Sequence, residues 1–176
     1  MAFMTPHEVV EKLPLGPGMT VVDFGSGTGV ITAFLAERVG ETGKVYAVEV
    51  QKDLLPEAKK QAEAKGLTNV ELIWGDIEVR GGTKLADKLA DVVVLANVLF
   101  QTGSPYAVLL EAKRILKDGG AVAVVDWSDS FAGLGPTPDH VLTPEKLRAI
   151  AKEASLIEVN DFAAGDHHYG LIFRSN

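Results

Sequence analysis

The segment Val21-Val22-Asp23-Phe24-Gly25-Ser26-Gly27-Thr28-Gly29 sets three glycines at alternate positions just behind a carboxylate. An apolar run precedes it and a helical pattern follows, so it is a strand-to-helix turn. Glycines there let the backbone approach a ligand closely, and the helix N-terminus favours negative charge. Glu49 ends the second strand, about twenty residues further on, where a carboxylate can accept both hydroxyls of a ribose. Trp74-Gly75-Asp76-Ile77 ends the third. A carboxylate there can accept a hydrogen bond from an adenine amino group, with Ile77 against the ring. Singly, these acids have plainer readings as a loop cap (Asp23), a solvated strand end (Glu49) and an Asx turn (Asp76). Jointly they fall at three successive C-terminal strand ends, where doubly wound sheets bind ligands. The site is electronegative and suits a cationic nucleoside better than a phosphorylated one.

Two other glycine-loop chemistries fit less well. The dinucleotide fingerprint needs Gly or Ala at its third position, where Val30 stands, and no Gly-Lys-Ser/Thr completes a triphosphate loop. A nicotinamide-dependent oxidoreductase is therefore the rival enzyme reading. A nucleoside-binding module without turnover is the rival outside enzymes.

A second group of residues can touch a substrate. Asn97, with Phe100 and Gln101 beyond it, ends an apolar strand, and its amide is either a ligand contact or a cap on the following turn. Asp126 and Trp127 end the fifth strand. Asp126 is a base or a loop cap, and Trp127 a stacking wall or plain core. His168 and Tyr169 open the last strand on opposite faces, and His140 ends a long loop. Asp126 and His168 are the catalytic candidates, although a lone histidine is more often structural. Two adjacent histidines, His167 and His168, without a suitably spaced third ligand give no metal site.

The elements that must position these groups alternate between strand and helix, the pattern of a parallel sheet covered on both faces. Strands are expected over 19–24, 44–50, 70–74, 91–96 and 121–125. Helical spacing marks Ile31–Val39, Leu54–Ala62, Val108–Leu116 and Leu147–Ala154, with a short helical piece over Lys84–Leu89. Thr5-Pro6-His7-Glu8 has capping-box spacing for a first helix through Lys12. Runs at 156–162 and 169–173 are joined by a link short enough for a hairpin, so the last strand runs antiparallel. The chain reads as one domain over residues 1–176. Residues 1–18 form a helix and linker, and the Gly/Pro-rich 128–142 loop is a cleft cover.

With 176 residues, 47% hydrophobic and 23% charged, the chain can build a core and is neither disordered nor low-complexity. It has no cysteine, which removes thiolate metal sites and cysteine nucleophiles. The net charge of −7 disfavours nucleic acid as a partner. A small-molecule substrate is expected instead. No basic-then-apolar leader and no spanning apolar run is present, which reads as cytoplasmic. Oligomeric state stays open.

Asp23-x-Gly25-x-Gly27-x-Gly29, Glu49, Gly75-Asp76 and Asn97 together resemble the successive motifs of class I S-adenosylmethionine-dependent methyltransferases. The resemblance runs from about Met19 to the end of the chain. It implies an α/β, doubly wound, Rossmann-like sheet of seven strands with the last antiparallel, and S-adenosylmethionine as cofactor. Asp23 and Gly25, Ser26, Gly27, Thr28 and Gly29 would meet its methionine part. Glu49 and Val50 would hold the ribose, Gly75, Asp76 and Ile77 the adenine, and Asn97 would lie beside the sulfonium. The implied reaction is in-line methyl transfer to a small or medium-sized acceptor. The C-terminal part, Asp126-Trp127 through Thr143-Pro144 to His168-Tyr169, loosely resembles small members near the ubiquinone/menaquinone-biosynthesis methyltransferases, without their long N-terminal segment. Arsenic-directed relatives use cysteines, and this chain has none. Lys44-Val45-Tyr46-Ala47-Val48-Glu49 is weakly similar to fibrillarin-type RNA methyltransferases, against which Asn97 and the net charge count.

Overall fold

A computed structural model describes residues 4–131 and 133–175. The first three residues of the expected N-terminal segment, position 132 of the expected loop cover and position 176 lie outside the described residues. Helix α1 (Pro6–Lys12) starts at Thr5, whose side chain accepts from Glu8 N–H while the Glu8 carboxylate accepts from Thr5 N–H. It is followed by β1 (Thr20–Phe24), α2 (Val30–Val39), β2 (Lys44–Glu49), α3 (Leu55–Ala64), β3 (Val70–Trp74) and β4 (Ala90–Ala96). The chain ends with α4 (Pro105–Ile115), β5 (Leu116–Trp127), α5 (Pro144–Glu153), β6 (Leu156–Ala163) and β7 (His168–Ser175). The seven strands form one sheet in the order β3-β2-β1-β4-β5-β7-β6. β7 is antiparallel to both β5 and β6, as the short hairpin link requires.

Period-two alternation splits the core. Val22, Phe24, Val93, Leu95, Val122 and Val124 pack with Leu109 and Ile115 of α4 and Leu147 of α5. Val21, Val45, Val92, Val94 and Ala123 pack on the other face with Val10 of α1 and Leu35 and Val39 of α2. Burying each such Leu or Phe contributes about 1.5–3 kcal/mol, more than any local helix preference. The order reverses between β1 and β4. The C-terminal ends of these two strands therefore open a crevice, which is where the site lies. No helix among the described residues is long and apolar enough to cross a membrane.

Two local expectations are corrected. Residues 84–89 are not helical, because Lys84 (φ 61°) and Lys88 (φ 55°) adopt left-handed backbone. The Lys84 amide closes a local turn on Gly81 O, and the rest of the segment is tied to distant elements. Lys84 Nζ donates to Trp74 O, and the Lys88 and Leu89 amides donate to Arg114 O and Ile115 O at the end of α4. β5 also starts earlier than expected, absorbing Leu116–Gly120.

Candidate functional site

Two cavities lie past the C-terminal ends of the parallel strands, with consecutive residues after β4 lining one each. The first has about 440 Å³ and lies over the ends of β1, β2 and β3. Gly25 and Gly27 line it, with Glu49 and Val50 after β2, and Gly75, Asp76 and Ile77 after β3. Gly25 has φ 72°, and a Cβ there would stand 2.4 Å from Val98 Cγ2, so the loop can lie against β4 only as glycine. Gly27 has φ 55°, and a Cβ there would meet nothing within 4 Å. The space beside Gly27 is therefore open. The Glu49 carboxylate bridges the loops, with Oε2 accepting from Gly27 N–H and Oε1 from Gln51 N–H, both at 2.8 Å. Each carboxylate oxygen has a second lone pair, so Glu49 keeps capacity for hydroxyl donors. Asp76 Oδ1 likewise accepts from Glu78 N–H at 2.8 Å.

The structure does not bring every expected residue to this surface. Asp23 is 2% exposed and lies beneath the glycine loop, where Oδ2 accepts from Thr32 Oγ1 on α2 at 2.6 Å. It thus fastens β1 to α2. Ser26 is also buried, and its Oγ has no hydrogen-bond partner. Gly29 is packed against Ala58 of α3, and Thr28 is half-buried. Gln101, expected near the substrate, lines the first cavity, and its side chain donates to Asn97 O at 2.9 Å.

The second cavity, of about 360 Å³, is lined by Val9 of α1, Asn97, Trp127, Leu134, Ala164 and His168 among others. Asn97 holds φ 56°, a conformation asparagine tolerates better than most residues, with its N–H on Val125 O at 2.8 Å. The next residue, Val98, lines the first cavity, whereas Asn97, expected as a cofactor contact beside the sulfonium, lines the second and not the first. Trp127 pairs with His168 across β5 and β7, and their rings lie 4.1 Å apart at 42°. Burial, and then the neighbouring His167, push the His168 pKa below its ordinary value against the pull of Asp129.

Sheet parity corrects two further residues, and loop placement corrects two more. Asp126 and Tyr169 form the neighbouring pair in the register, on the opposite face from Trp127 and His168. Asp126 is 1% exposed and its oxygens accept from the Phe100 and Trp127 amides, so it caps the turn after β4 and reaches neither cavity. Tyr169 is in the core, its hydroxyl donating to Leu142 O at 2.7 Å. His140 is exposed in the loop, paired through Nδ1 with Thr137 Oγ1. Phe100 is half-buried and lines neither cavity.

Sequence reasoning missed Gln51, Leu54, Glu78, Val98 and Thr102 on the first cavity. Gln51 and Glu78 had a signal. Each stands two residues after an acid that accepts its N–H, the spacing of a carboxylate turn.

The two buried aspartates have a measurable consequence. Burial raises the Asp23 pKa to about 6, with the Glu49 charge adding and the Thr32 bond opposing. Burial likewise raises Asp126 to about 6 against its amide donors. Between pH 4 and 6 the folded chain therefore binds more protons at these positions than the unfolded chain, so they lower stability as pH rises. Each tenfold gap in proton affinity between the two states is worth about 1.4 kcal/mol. Asp23→Asn keeps an acceptor for Thr32 and removes the titration. Its melting temperature relative to the parent should climb on the order of 5 °C from pH 4 to pH 7. A difference that stays flat with pH would reject the account.

Similarity to known proteins follows the same lines. A family model described as "Methyltransferase domain" matches residues 15–163. The arsenite methyltransferase of Halobacterium salinarum is 30% identical over 145 residues, which is 82% of this chain and 35% of that protein. The ubiquinone/menaquinone biosynthesis C-methyltransferase of Shewanella pealeana is 29% identical over 120 residues, 68% of this chain and 47% of its own. The chain thus spans less than half the length of these two relatives. A crystal structure of a SAM-dependent methyltransferase from Aquifex aeolicus superposes with a TM-score of 0.89 at 28% identity, covering 98% of this chain and 90% of that one.

Proposed function

The chain belongs to the class I S-adenosylmethionine-dependent methyltransferases, and we propose that it moves the methyl group to a small molecule seated in the cavity behind Asn97. The observation that carries this reading is that the consecutive residues Asn97 and Val98 line two cavities of opposite character. The cavity at Val98 is lined by carboxylates, and the one at Asn97 is mostly apolar. The first cavity suits the cofactor. Gly27 leaves room for a close ligand, and Glu49 and Asp76 offer acceptors for hydroxyl and amino donors. The N-cap of α2 makes no side-chain bond and its first turn holds no acid, so its amides suit an anionic group.

In this reading Glu49 holds the ribose, Asp76 and Ile77 the adenine, and the glycine loop the methionine part. When bound, S-adenosylmethionine supplies an electrophilic methyl group on a sulfonium. The protein's work is then to fix the acceptor in line near Asn97 and exclude water. The α1 helix and the 128–142 loop wall the second cavity through Val9 and Leu134. His168 takes the acceptor's proton, its depressed pKa leaving the imidazole neutral near pH 7. Asp23 and Asp126 position the loops and do not touch ligand.

Calorimetric titration with S-adenosylhomocysteine and NAD tests the cofactor assignment. Micromolar binding of the first, at least tenfold weaker in Glu49→Ala, is expected. Binding of NAD alone would overturn it. His168→Gln should cut acceptor-dependent release of S-adenosylhomocysteine by about 10²–10⁴-fold while leaving its affinity unchanged. An undiminished rate would remove His168 from the chemistry.

A further inference from the structure

We propose that the cavity behind Asn97 selects an uncharged, largely apolar acceptor carrying one polar nucleophilic group, and rejects anions and ammonium ions of the same size. This inference rests on the methyl-transfer reading above. Among the described residues, none that lines this cavity is Asp, Glu, Lys or Arg. The first cavity, by contrast, is lined by Glu49, Asp76 and Glu78. Charge is thus divided between the two sites, with carboxylates where a sulfonium nucleoside would bind and none where the acceptor would sit.

Two acids next in sequence to the lining strand, Asp126 and Asp129, are engaged elsewhere. The Asp126 carboxylate faces the other side of the sheet and accepts the Phe100 and Trp127 amides. Asp129 is held by His167 Nδ1 at 2.9 Å. An ion pressed against these walls would shed part of its hydration without meeting a charged partner in the lining, which disfavours it relative to a neutral molecule of the same shape. The walls suit an apolar body. Val9, Leu134 and Ala164 supply aliphatic surface, and Trp127 with His168 supplies an aromatic one. The loop backbone closes over Trp127 at Gly135, where a Cβ would come within 2.4 Å of the indole. Among the described residues that line it, Asn97 and His168, with the Trp127 indole N–H, bring the side-chain nitrogen and oxygen, enough to meet a hydroxyl or amine on an otherwise apolar body. At about 360 Å³ the space equals about a dozen water molecules at about 30 Å³ each, a small acceptor.

The test uses the full chain saturated with S-adenosylhomocysteine and three size-matched probes: 4-propylphenol, 4-propylbenzoate and 4-propylbenzylammonium. By calorimetry at pH 7 the neutral phenol should bind at least tenfold more tightly than either ion. Leu134→Lys places a cation on the wall at a residue that is 54% exposed and so tolerates the change. It should weaken the phenol and strengthen the benzoate, each by about tenfold, while S-adenosylhomocysteine binds as before. Equal binding of the three probes, tighter binding of an ion, or no change in Leu134→Lys would overturn the inference. If S-adenosylhomocysteine binds and no probe does, the inference fails while the cofactor assignment stands. If the probes follow the expected order but S-adenosylhomocysteine does not bind, the cavity's selectivity stands and the methyl-transfer reading falls.

Discussion

Glu111→Ala should destabilise the protein by about 3–5 kcal/mol and weaken the first cavity with it. The Glu111 side chain is fully buried on α4. It accepts Thr83 Oγ1 at 2.6 Å and Gly81 N–H at 2.9 Å, and takes the Arg114 guanidinium through two bonds of 2.8 and 2.7 Å. Burial alone would raise its pKa, but Arg114, Thr83 and Gly81 outweigh it and hold the carboxyl down at about 2. Arg114 also pairs with Asp87 and donates to Leu85 O. Removing the carboxylate therefore leaves the Thr83 and Gly81 donors without their acceptor and a largely buried guanidinium held only by Asp87, Leu85 O and the Thr83 hydroxyl. The loop it holds has no helix of its own, and Gly82 O accepts the Asp76 amide at the cavity wall. Affinity for S-adenosylhomocysteine should fall along with stability. Because the folded pKa is depressed, the stabilisation is complete above about pH 4.5 and is lost as pH falls through about 2. Urea denaturation at pH 7 measures the loss, and Glu111→Gln, which retains one acceptor, should fall between the two. A Glu111→Ala loss under 1 kcal/mol would show that the network contributes little.

This loop also marks the limit of what the sequence reveals. Strands β1 to β4 were legible because each is a short apolar run between turn signals, and the capping box at Thr5 and Glu8 was legible from spacing alone. The 84–89 segment was not. Lysines at positions 84 and 88 carry no turn signal, and the Lys88 and Leu89 amides are taken by α4 carbonyls distant in sequence. Parity set the other limit. Alternation shows that Asp126 and Trp127 face opposite ways, but not which of them faces the ligand. That is decided by the β5–β7 register and by α1 walling the Trp127 side through Val9. Hence Trp127 and His168 line the cavity, whereas Asp126 and Tyr169 do not. Asp23 misled for a related reason. A carboxylate at the edge of a glycine loop reads as a ligand contact, yet the same position also faces α2, where Thr32 takes it.

Gly27→Val should abolish cofactor binding while leaving the fold standing. Gly27 is left-handed at φ 55° with no atom within 4 Å of a built Cβ, so the variant meets backbone strain but no clash. That strain costs about 1–2 kcal/mol, which a domain of ordinary stability survives. The added side chain enters the open space beside the loop, at the surface Gly27 contributes to the first cavity. Affinity for S-adenosylhomocysteine should fall at least 100-fold, or about 2.7 kcal/mol. Gly25→Val is the informative contrast. Its Cβ would press within 2.4 Å of Val98 Cγ2, so it must push the end of β4 and should lower the melting temperature further than Gly27→Val does. Thermal melting without ligand and calorimetry with S-adenosylhomocysteine separate the two effects. If Gly27→Val kept its affinity within about twofold, well under 1 kcal/mol, the ligand would not lie against this loop and the cofactor would have to bind elsewhere.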